Sequence, residues 1–166
     1  MRAFNASVTH PPLLAMVVPA DPAEPTRRVN LNKGDQYIYR QQALNLEREI
    51  GGDLDATEHP DASVWFNEHA SATGLPINVR ATHWVLNDSE RARTGTFGEP
   101  IILYGTVIIA GPARDGDLTP LDEELATHFE GLSINKDALA DWDLPDDQWS
   151  VSAFDAWDPG DGYPGL

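Results

Sequence analysis

The sequence predicts an α+β fold: a mostly antiparallel sheet of four to six strands with two helices, followed by an acidic, aromatic-containing C-terminal extension. Three observations carry this. Apolar residues recur with helical period between Asp35 and Ile50. Ile101–Ala110 (IILYGTVIIA) is rich in β-branched residues and reads as a central strand. Thr119-Pro120-Leu121-Asp122 opens a second helical pattern with a cap-like Thr, a Pro at the first helical position and an acid three residues on.

In chain order, Leu13–Val18 is an apolar run bracketed by Pro11, Pro12 and Pro19, and reads as a first strand. Residues 21–34 are polar, with a short strand expected around Val29–Leu31. Tyr39, Ala43, Leu46 and Ile50 then fall on one helical face, with Asp35 as the expected cap and Gly51-Gly52 as the stop. Asp53–Glu58 and Ala62–Phe66 read as two strands around a turn at His59-Pro60-Asp61. Residues 67–78 read as a polar loop, Val79–Leu86 as a strand with Trp84 and Leu86 on one face, and Asn87–Pro100 as a long loop. Gly105 marks a bulge or a close backbone approach in the central strand. Leu121, Leu125 and Phe129 repeat along the last helix, which Gly131 stops. The organisation expected is an N-terminal strand and loop (1–34), an α+β core (35–131) and an acidic extension (132–166).

Composition excludes several function classes. Without cysteine there is no disulfide framework, no thiolate nucleophile and no cysteine-held metal. A net charge of −16 opposes direct binding to nucleic acid, which needs clustered Lys and Arg. No apolar run approaches the roughly 20 residues of a membrane span, and Leu13–Val18 is too short for a signal peptide, so a cytoplasmic protein is expected. There is no phosphate-binding loop, dinucleotide fingerprint or nucleophile elbow, so no cofactor is expected.

The segments LEREIGGDLDAT (46–57), WFNEH (65–69), TGLPINVRAT (73–82), ILYGTVIIAG (102–111) and DLTPLDEELATHF (117–129) occur in an order that resembles the phage- and plasmid-borne family catalogued as domain of unknown function 3846. The resemblance covers about residues 35–130. It rests on Gly51-Gly52, Asn67-Glu68, the Gly74–Ala81 stretch, Gly105, Gly111 and Asp117-Leu118-Thr119, with Thr73 standing where the family usually has Asn. It implies a small mobile-element protein, and it supplies no catalytic residues.

The five histidines show no metal-ligand spacing. Glu68, His69 and His83 fall on segments that could become neighbours, but solvated or singly hydrogen-bonded imidazoles are expected and no metal site. Asn67, Asn78, Arg80 and Arg91 could recognise a nucleotide-like or acidic small molecule, two amides and guanidinium forks suiting phosphate or carboxylate. The same residues equally suit a structural turn.

Charge is the most informative feature. Residues 1–114 carry a net −3, whereas 115–166 carry −13 with Lys136 as their one base. In the extension, Asp137, Asp141, Asp143, Asp146, Asp147, Asp155 and Asp158 interleave with Trp142, Trp149 and Trp157. Spaced carboxylates can imitate nucleic-acid phosphates toward a basic partner, with aromatics as anchors; the same charge could serve only solubility. The expectation is a non-enzymatic accessory protein that binds a basic, plausibly nucleic-acid-binding host protein through this surface, as a nucleic-acid mimic or anti-defence inhibitor. The small-ligand module stands as the alternative.

Overall fold

Strand β1 (Leu14–Val18) has no charge, glycine or proline, and four of its five residues are buried. Such a strand needs cover on both faces, and it lies second in a five-stranded sheet of order β2-β1-β5-β4-β3. The other strands are β2 (Arg27–Asn30), β3 (Leu54–Glu58), β4 (Ser63–Asn67) and β5 (Val107–Ala110), and every neighbouring pair is antiparallel. The computed structural model describes residues 11–85 and 102–132. The α+β class and the antiparallel sheet follow the sequence expectation, with three helices among the described residues where two were expected.

Helix α1 (Ile38–Ile50) carries the chain from the β2 edge to the β3 edge across one face of the sheet. Leu46 and Ile50 pack there on Ala15, Val17, Ile108 and Ala110. The helix is not capped by Asp35: Tyr37 is the N-cap, without a side-chain cap bond. Tyr39 points outward and is 53% exposed, because the N-terminal half of α1 buries Gln41, Gln42 and Asn45 instead of the expected apolar stripe. Gly51 ends the helix as read, at φ +78°, with its N–H on the Glu47 carbonyl at 2.7 Å.

The opposite face of the sheet is covered by α2 (Val79–His83) and α3 (Glu123–Gly131). Met16, Val18, Val64, Val107 and Ile109 meet Ala81, Trp84, Val85, Ala126 and Phe129 there. The expected strand at Val79–Leu86 is therefore a helix; Leu86 itself lies outside the described residues. Ala81, Trp84 and Val85 stand at i, i+3 and i+4, a helical spacing that the short apolar run also allowed to be read as alternation. Asn78 tips the balance by capping the helix at the Ala81 N–H.

The α3 start also moves. Asp122, not Thr119, is the N-cap, accepting from the N–H groups of Glu124 and Leu125. Thr119 instead donates its hydroxyl to the Pro112 carbonyl. Residues 119–121 precede the helix, tied by Gly111 N–H to the Thr119 carbonyl (2.9 Å) and Leu121 N–H to the Leu14 carbonyl (2.8 Å). A Cβ on Gly111 would overlap the Pro120 carbonyl, so this approach requires glycine. The central strand is β5 as expected, but only from Val107: Gly105 sits at φ +70° and breaks the ladder.

Candidate functional site

Asn78 and Arg80 sit at the start of α2, where the chain after Pro76 turns beneath the ends of β1 and β5. The Asn78 side chain accepts from Ala81 N–H at 3.0 Å and donates to the Val18 and Gly105 carbonyls, both at 2.8 Å. It is fully buried. Arg80 Nη2 donates to the carbonyls of Pro19 (2.8 Å), Asp21 (3.0 Å) and Glu24 (2.8 Å), holding the loop between β1 and β2. Burial pushes the guanidinium pKa below its usual value, while the Asp21 and Glu24 carboxylates pull the other way. Asn67 is separate: its Oδ1 accepts the His69 N–H at 2.8 Å, and its side chain lies against Gly52. Among the described residues no hydrogen bond joins Asn67 to the other two. Arg91 lies outside the described residues, as does every residue of the acidic extension from 133 onward.

At the base of the β3–β4 hairpin, His69 Nε2 lies 3.1 Å from Glu68 Oε1 and 3.3 Å from Asp53 Oδ2. The three donor atoms lie within 4.8 Å of one another, a nitrogen-and-oxygen set of the kind zinc accepts. All three side chains are exposed, however, which describes a solvated ion-pair group equally well. His83 is not part of it; it ends α2.

A cleft of about 780 Å³ lies between β2 and α1. Its floor is a ladder of buried amides. Gln41 Nε2 donates to Asn45 Oδ1 (3.1 Å), and Asn45 Nδ2 donates to the Leu31 and Lys33 carbonyls, both at 3.0 Å. Arg48 Nη1 donates to Asn45 Oδ1 at 3.2 Å. Asn45 thus fixes both the loop carrying Lys33 and the guanidinium across from it. Gly34 stands where a Cβ would run into the Gln41 side chain, so the loop can lie flat on the helix. The sequence held a signal for this: Gln41, Asn45 and Arg48 follow i, i+4, i+7, a polar stripe beside the apolar one. A second hollow, of about 390 Å³, lies between Glu58-His59-Pro60 and Pro112-Ala113-Arg114.

Electrostatically the described fold is polarised. Arg27, Arg28, Lys33, Arg40 and Arg48 gather on β2, the loop after it and α1, and Arg80 and Arg114 complete the described bases. α3 carries Glu123, Glu124 and Glu130, and Asp122 before it. Arg28 bridges the two regions, with Nε on Glu130 at 2.8 Å and Nη1 on Glu123 at 2.6 Å. These hydrogen bonds, Glu130 foremost, raise the Arg28 pKa further.

No helix among the described residues is long and apolar enough to cross a membrane. No curated protein and no solved structure matches the chain. A family model does match, over residues 15–133, and so takes in β1 and β2, which the resemblance read from the sequence left out. Since that match spans more than half of the chain, including the described sheet from Ala15 on and the three described helices, the chain belongs to the family described as domain of unknown function (DUF3846).

Proposed function

We propose that the chain is a non-enzymatic accessory protein of a phage or plasmid, working in the host cytoplasm. It engages a basic host protein through its acidic C-terminal part, as a nucleic-acid mimic or anti-defence inhibitor. The observation that carries this reading is the partition of charge: residues 115–166 hold a net −13 and 1–114 only −3. The acids of α3 are exposed and lead directly toward the acidic sequence. Carboxylates in series meet phosphate-binding Lys and Arg without any base readout. Interleaved Trp142, Trp149 and Trp157 add the aromatic anchors that slow dissociation.

The test is capture of basic proteins from a host lysate on immobilised full-length chain, beside a variant with Asp137, Asp141, Asp143, Asp146, Asp147, Asp155, Asp158 and Asp161 all changed to Asn. A specific partner should be retained by the native chain, lost by the variant, and released as ionic strength rises through the physiological range. Equal retention by both proteins would overturn the reading.

A further inference from the structure

The β2–α1 cleft is lined by three bases, Arg28, Lys33 and Arg48, together with Asp35 and Glu49. Five of the seven described Lys and Arg residues fall between Arg27 and Arg48. Two are neutralised in place, Arg27 by Glu49 and Arg28 by Glu123 and Glu130. Lys33 and Arg48, on opposite walls, have no carboxylate partner among the described residues. Asn45, which is buried, accepts from the Arg48 guanidinium and donates to the main-chain carbonyl of Lys33, fixing the one cation and the backbone that carries the other. A fixed guanidinium with an exposed lysine on the facing loop, in a protein whose net charge is −16, suits an anion.

The other walls say what carries the anion. β2 is an edge strand. Leu31 N–H bonds the Leu13 carbonyl at 3.0 Å, and the antiparallel alternation then turns the N–H groups of Arg28 and Asn30 away from β1. Both residues border the cleft, and their outward N–H groups offer a straight hydrogen-bonding edge to a planar, heteroatom-bearing ring. Asp35 borders the same cleft, and a carboxylate there accepts from vicinal sugar hydroxyls. The volume, about 780 Å³, lies in the range of small-molecule sites, roughly 300–1,000 Å³.

We infer that this cleft binds a ribonucleoside monophosphate, with the phosphate on Lys33 and Arg48, the sugar hydroxyls on Asp35 and the base along the outer edge of β2. All the lining residues lie between Arg28 and Glu49, and binding there does not depend on the Asp residues beyond 136.

The experiment is isothermal titration calorimetry of the full chain with AMP, GMP, CMP and UMP, their 2′-deoxy counterparts and inorganic phosphate. At least one ribonucleotide should bind saturably, more tightly than its deoxy form and than phosphate alone. Lys33→Ala and Arg48→Ala should each weaken it by about tenfold or more. Arg48→Lys should recover only part of the loss, because the fork is gone. Arg114→Ala, outside the cleft, and the eight-Asp→Asn variant should leave it unchanged. Circular dichroism of each variant confirms the fold; Lys33 and Arg48 are exposed, so their removal leaves the core intact. Absence of saturable binding by all four ribonucleotides at millimolar concentration overturns the inference. So does binding that survives both alanine variants, or phosphate binding as tightly as any nucleotide.

Discussion

Asn78 joins Gly105 through a side-chain hydrogen bond of 2.8 Å between segments 27 residues apart. The same amide also reaches the Val18 carbonyl, so one side chain ties the ends of β1 and β5 to the start of α2. Asn78→Ala removes a helix cap and takes one donor from each of two buried carbonyls. A cap is worth about 1 kcal/mol, and each lost buried hydrogen bond adds about 1 kcal/mol. Denaturant unfolding should show a loss of roughly 3 kcal/mol. Asn78→Asp keeps the cap but cannot donate, and should also destabilise; a variant as stable as the native chain would remove Asn78 from this role.

Arg80 and Arg28 are predicted to differ sharply despite similar numbers of partners. Arg80 is 6% exposed, and its donors go to three backbone carbonyls of the β1–β2 loop. Arg80→Ala should cost roughly 2–3 kcal/mol, the scale of lost hydrogen bonds from a charged group. Arg28 makes two ion pairs in solvent, where screening and side-chain entropy cancel most of the attraction. Arg28→Ala should move the unfolding midpoint much less, and what shift there is should shrink in added salt. Equal losses in a side-by-side urea series would contradict this.

The sheet was legible because its strands announce themselves by composition: Leu13–Val18 and Val107–Ala110 are apolar on both faces, and His59-Pro60-Asp61 turns one strand back on the next. The helix boundaries were less so. Asp35, Thr119 and Asp122 all have cap-forming side chains, and only the tertiary position of the Thr119–Leu121 segment against Leu14 and Gly111 decides which one caps. The cleft was missed for a different reason. Gln41 and Asn45 are polar, so a search for an apolar stripe assigns them to solvent; they are buried because the 31–36 loop lays two carbonyls on Asn45 and the Gln36 N–H on Gln41. Arg80 was grouped with Asn67 by proximity in sequence, although the turns between β4 and α2 give them separate partners.

Tyr39 and Asp117 should reveal themselves at alkaline pH. The Asp117 charge, and then its hydrogen bond, raise the Tyr39 pKa above the usual 10.0. A folded-state pKa above the unfolded one means that the stabilisation is fully present below pH 10 and is lost as pH rises through the folded value. Ultraviolet titration of native chain against Tyr39→Phe should place this phenol above its normal range. Asp117→Asn should bring it back toward 10.0, and an unchanged titration would break the pairing.

Gly111→Ala tests the close approach that sets where α3 begins. Gly111 N–H bonds the Thr119 carbonyl, and an added methyl would run into Pro120 backbone that cannot yield without disturbing Leu121 and its bond to β1. Overpacking of this kind costs about 1–3 kcal/mol. Gly116→Ala, with open space around the position but φ +83°, isolates backbone strain alone, about 1–2 kcal/mol. Gly111→Ala should also perturb the packing of Leu121 and Phe129 against the sheet, read as a change in Trp84 fluorescence, since the Trp84 and Phe129 rings lie 5.2 Å apart. Gly116→Ala should leave that signal alone. If the two substitutions cost the same and neither alters the fluorescence, the 111–121 contact does not position α3.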